Sequence, residues 1–169
     1  MPNNKFNRRI YRSFSQFWRD FRYPLQNRDK IKITMKGDLV SYAFRERLML
    51  AVTAVNGCRY CSYYHAKEAV KAGLPESELQ KLLVGVVDDA PADELPALLY
   101  AQHWAESDAN PDPEARQKLV ETYGPERTEA IEMALRMIRM GNLLGNQWDY
   151  WLYRISNGRL NASIKKSLK

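Results

Sequence analysis

At 169 residues, with 45% hydrophobic and 27% charged side chains, the chain is long enough to bury one core, and its composition excludes fibrous and disordered classes. No apolar run approaches the roughly 18–20 residues that cross a bilayer, and the basic start lacks the apolar stretch of a secretory signal. The net charge of +6 is uneven: residues 1–30 hold +6, residues 31–156 hold −4, and the tail from Asn157 adds +4 through Arg159, Lys165, Lys166 and Lys169.

Helical punctuation recurs along the chain and strand alternation is almost absent, so a single compact all-α domain of about six to eight helices is expected. Residues 1–30 read as a basic aromatic extension and residues 31–169 as the helical domain. In residues 6–23, Phe6, Ile10, Phe14, Phe17, Trp18 and Phe21 recur at spacings of three and four, with arginines between them. That pattern predicts an amphipathic helix ending at Pro24. Three readings of it stay open. It can pack its aromatic face on the body or on another subunit, lie on a membrane surface, or contact nucleic acid or an acidic redox partner. The first is favoured, because a detached helix would expose a large aromatic patch, and no nucleic-acid partner is expected.

A buried helix follows, capped at Asp38 and stopped at Gly57, then one from about Cys58 to Ala72. Pro75 suits the first turn of a third helix, and "DELPALLYAQHWAES" forms a fourth. A fifth runs from the cap Asp112 to Gly124, and a long sixth carries Gly141 and Gly145 one turn apart, so another helix can approach closely there.

The stretch "NGCRYCSYYHAKEAVKAG" (residues 56–73) holds the only two cysteines, Cys58 and Cys61. Two cysteines this close are no disulfide scaffold, so the cytoplasm is the default compartment. At the first turn of a helix, unpaired backbone N–H groups stabilise a thiolate at Cys58, and Arg59 adds positive charge. His65 shares a face with both sulfurs and stands one turn from Cys61, where a histidine can take a thiol proton. If the chain reverses at Gly57, His65 lies roughly 12 Å down one arm and Glu46 roughly 16 Å down the other, near the same level. Glu46 borders an apolar run where an unpaired carboxylate is costly, so a Glu46–His65–Cys61 relay is expected.

Glu46, Cys58, Cys61 and His65 match the E-x11-C-x2-C-x3-H signature of the alkylhydroperoxidase D-like proteins, within the carboxymuconolactone decarboxylase family. The resemblance covers about residues 40–85. It implies a small helical fold assembling as a homo-oligomer, a trimer or hexamer, and a dithiol that reduces peroxides or a partner's disulfide. By that resemblance Cys61 attacks, Cys58 closes the disulfide, and His65 with Glu46 moves the proton. Helix-terminus reasoning favours Cys58 as the thiolate instead, and the nearness of His65 favours Cys61. Some relatives carry a further histidine just before the second cysteine, where this chain has Tyr60, a poor base at neutral pH.

Blander readings exist for each residue. Cys58 and Cys61 could be small buried apolar groups. With His65 and Glu46 they could bind zinc, although no second ligand pair is present. Glu46 could pair with Arg45 or Arg47 at the surface, and His103 reads as core or interface. The expected function is a peroxidase-type dithiol oxidoreductase with no cofactor and no metal, taking a peroxide as substrate and electrons from an external dithiol or protein disulfide. The alternatives are a protein-disulfide relay or redox sensor, and a decarboxylase-type lyase, whose reaction does not rest on a dithiol.

Overall fold

The computed structural model describes residues 6–158; the basic tail beyond them lies outside that range. Among the described residues are seven helices and no strand: α1 (Phe14–Gln26), α2 (Arg28–Lys36), α3 (Tyr42–Asn56), α4 (Arg59–Lys71), α5 (Glu76–Leu83), α6 (Leu95–Glu106) and α7 (Pro113–Ile155). The fold is all-α, as the punctuation of the sequence implies.

The third helix organises the rest. From Glu46 to Thr53 every residue is buried, because α4, α5, α6 and α7 all pack against α3. An all-round apolar helix needs such a surround. Ser41, not Asp38, caps it by accepting the Phe44 N–H at 3.1 Å. Its end is Gly57, held at φ 74°, a left-handed conformation that glycine adopts without a Cβ penalty.

Several other boundaries move for local reasons. The N-terminal helix begins at Phe14, capped by Ser13, and continues through Pro24 to Gln26. Residues 6–13 are not helical, since their main chain bonds the body instead. The Arg9 N–H donates to the Asn56 carbonyl at 3.3 Å, and the Arg9 carbonyl accepts from Asn146 at 2.9 Å. The helix α2 was not expected; its sequence, RDKIKITMK, lacks a strong period. Pro75 is the cap of α5 rather than its first residue. The expected fifth and sixth helices join directly at Gly124 (φ 75°, ψ 165°), a sharp kink followed by Pro125 at the first position of the second half.

Buried ion clusters tie the elements together. Arg47 of α3 grips Glu78 of α5 through two bonds of 2.5 and 3.1 Å and reaches Glu94 at 3.1 Å. Arg139 of α7, 1% exposed, bonds Asp20 of α1 at 2.8 Å and Asp108 at 2.6 Å.

Candidate dithiol active site

The two-residue turn Gly57–Cys58 makes Cys58 the N-cap of α4, so its side chain faces the open end of the helix. The Cys58 sulfur accepts the Cys61 N–H at 3.4 Å, and the two sulfurs lie 2.9 Å apart with no bond between them. Cys58 is fully buried and Cys61 partly exposed. The hydrogen bond from Cys61 pulls the Cys58 thiol down to about 7, against burial, which pushes it up. Backbone N–H groups of Cys61 and Tyr60 assist. The Cys61 thiol is pushed well above the ordinary range by that same bond and then by burial, while Asn142 pulls it down. The pair therefore releases one proton near neutrality and holds the second tightly.

His65 sits on α4 one turn beyond Cys61, and its Nδ1 lies 2.7 Å from Glu46 Oε2 on α3. Glu46 is 3% exposed, and its burial is offset chiefly by this contact, with a longer ion pair to Arg45 on its other oxygen. Arg45 stands farther away, at 3.9 Å. Among the described residues no hydrogen bond joins His65 to either sulfur. The four expected residues thus form two pairs on one helical hairpin. No group of three or more His, Cys, Asp and Glu side chains among the described residues converges to hold a metal ion.

Arg59 does not serve the thiols as expected. Its guanidinium donates to Asp149 at 2.6 Å and to the Tyr60 hydroxyl at 2.6 Å, so Asp149 neutralises it. Tyr60 in turn donates to Asp149 at 2.7 Å, and its hydroxyl is raised by burial and by that carboxylate. A phenol so placed stays protonated. His103 lies away from the dithiol, close to Asp112.

Residues 31–107, from α2 to the end of α6, match the model of the carboxymuconolactone decarboxylase family. Over that segment the chain is similar to the carboxymuconolactone decarboxylase family. The match covers 77 of the 169 residues (107 − 31 + 1) and contains both pairs of the site. No curated protein and no solved structure matches the chain. The family includes alkylhydroperoxidase D-like proteins as well as decarboxylases.

Beyond the segment that matches the family model, α7 supplies the wall behind the dithiol. A Cβ on Gly145 would stand 2.9 Å from Cys58 Sγ, and one on Gly141 3.9 Å from Cys61 Sγ. Asn142, fully buried, donates to Thr53 Oγ1 at 3.1 Å and accepts from Asn56 at 3.1 Å. Asn146 donates to the Asn56 carbonyl at 2.8 Å. The pattern GNLLGN, a Gly-Asn pair repeated four residues on, could have pointed to this wall; attention to the glycines alone misses the asparagines.

The two glycines predict opposite outcomes. Gly145→Ala overpacks the dithiol and is expected to cost about 1–3 kcal/mol and to impair disulfide closure. Gly141→Ala has room and is expected to gain up to about 1 kcal/mol from helix propensity. Thermal unfolding of both variants, beside thiol counting, checks the contrast.

Proposed function

We propose that this chain is a peroxidase-type dithiol oxidoreductase, alkylhydroperoxidase D-like. The reading is carried by the sulfur pair: two reduced thiols 2.9 Å apart, one pulled down to about 7, with the partly exposed Cys61 outermost. In the proposed cycle the pair first loses one proton. The charge resides on Cys58 at rest, and the shared hydrogen bond lets it pass to Cys61 when a peroxide approaches. Cys61 attacks the distal peroxide oxygen, the O–O bond breaks, and a proton delivered from His65 leaves with the alkoxide as an alcohol. The resulting sulfenic acid condenses with Cys58, releasing water and forming the disulfide. Two thiols are oxidised and one peroxide reduced to alcohol and water. An external dithiol, small or protein-borne, resets the disulfide by exchange.

Glu46 acts by orienting His65 and stabilising its charge, as a carboxylate does behind a catalytic imidazole. Tyr60 takes no proton in this scheme, since Asp149 and Arg59 occupy its hydroxyl. The lyase reading of the same family gives the dithiol no role. Cytoplasmic location and a trimeric or hexameric assembly belong to this proposal as well.

The test is stoichiometric oxidation of the reduced protein with an organic hydroperoxide across a pH series, read by mass spectrometry. One intramolecular Cys58–Cys61 disulfide per peroxide is expected, with a rate that rises as pH passes through about 7, the value of the lowered thiol. A rate that begins to rise only near the ordinary thiol value of about 8.5, or no disulfide, contradicts the reading.

A further inference from the structure

The helix α1 precedes the matched segment and turns Asp20 and Pro24 toward the body, with Phe17 and Phe21 half-buried, yet it leaves a second apolar strip uncovered. Its inner face is held by Asp20 on Arg139 at 2.8 Å and by Gln16 on Asp108 at 2.7 Å. Its outer face carries Phe14, Trp18 and Leu25, exposed by 76%, 48% and 44%. These positions lie within one narrow stripe of the helix, because a spacing of four or eleven residues returns close to the same angle. Arg19 and Arg22 are exposed on the adjoining face. Asp20, the acidic residue of α1, bonds Arg139 at 2.8 Å through one oxygen, and Arg19 stands 3.6 Å from the other.

An aromatic stripe edged by arginines fits a surface that is apolar beneath and anionic above, as a lipid headgroup layer is. Tryptophan in particular favours the level where apolar chains meet headgroups. A nucleic acid fits less well, because base stacking needs free ring faces. Here Phe14 and Trp18 already stack on each other, with planes 15° apart and centroids 6.3 Å apart. A second copy docked isologously through this strip would gather the exposed Arg19 and Arg22 of both copies along one seam, so charge disfavours it. At thirteen residues, α1 is about 20 Å long and lies in the surface rather than crossing it.

We propose that α1 docks the protein on membrane surfaces carrying anionic lipids, with Phe14, Trp18 and Leu25 entering the headgroup boundary and Arg19 and Arg22 contacting the negative headgroups. The inference is independent of the dithiol chemistry.

The test is co-sedimentation of the full chain with phosphatidylcholine vesicles, with and without phosphatidylserine. Pelleting is expected with the anionic vesicles and is expected to weaken as salt rises. Arg19→Gln with Arg22→Gln is expected to lower that binding about tenfold or more, since each cation near an anionic surface contributes on the order of 1 kcal/mol. Phe14→Ser with Trp18→Ser is expected to abolish it, with helical content unchanged by circular dichroism. No pelleting, or pelleting unaffected by either pair, overturns the proposal. So does a change of oligomeric state in the Phe14/Trp18 variant with no vesicle binding by the parent, which would assign the stripe to a second copy.

Discussion

Glu46→Gln is expected to slow peroxide turnover by about a hundredfold or more, while leaving thermal stability within about 1 kcal/mol of the parent. The substitution keeps the volume at a site that is 3% exposed but removes the charge facing His65 Nδ1. A glutamine presents either its oxygen or its amide to the ring, so the imidazole loses both a fixed tautomer and the partner of its protonated form. Glu46 is a positioning residue here, because it touches no reacting atom, and three readouts separate that role from a merely structural one. The pH–rate profile should change shape, because proton delivery then depends on an unsupported histidine. Oxidation by a strong thiol oxidant that needs no proton relay should stay near the parental rate. Finally, adding Glu46→Gln to His65→Ala should cost little more than His65→Ala alone, as groups acting as one unit are non-additive. Full additivity would show that the two residues work separately.

Arg47→Met is expected to destabilise the fold by about 3–5 kcal/mol at neutral pH, a large share of a typical domain's stability. Methionine fills much of the space but strands Glu78 and Glu94, which are 5% and 8% exposed. The Glu94 carboxyl is already raised by burial, even with Arg47 beside it. In the variant both carboxylates face a low-dielectric site without a cation, and the Glu94 carboxyl, already raised by burial, is raised further by the loss of Arg47. Such groups destabilise the fold at pH values above their folded-state range and stop doing so as pH falls through it and they protonate. The deficit should therefore shrink between pH 7 and pH 5, as measured by chemical denaturation at both. A loss that is constant with pH would point to packing rather than stranded charge.

The Glu46–His65 contact could be read from the sequence because two regular rises and one glycine turn determine which levels of a hairpin face each other. Gly57 at φ 74° supplies that turn, and the 2.7 Å contact follows from it. Counting along one hairpin says nothing about what stands behind it. Asp149 lies 90 residues from Arg59 in sequence, yet it captures the very cation expected to favour the thiolate. Asn142 and Asn146 reach Thr53 and Asn56 across similar separations. The N-terminal segment shows the same limit. Its period suggests a helix from Phe6, but Asn56 and Asn146 take the backbone bonds of Arg9, and residues 6–13 are not helical. Apolar spacing identifies a stripe, whereas Asp20 and Arg139 decide which side of the helix faces inward.

The central claim is that the Cys58–Cys61 pair consumes peroxide, and steady-state peroxide loss in the presence of a small dithiol tests it most directly. Wild-type protein is expected to turn over repeatedly, and Cys61→Ser is expected to lose that turnover while remaining folded. Peroxide consumption surviving in Cys61→Ser, or absent from a wild-type protein whose disulfide forms and is reducible, would contradict the account.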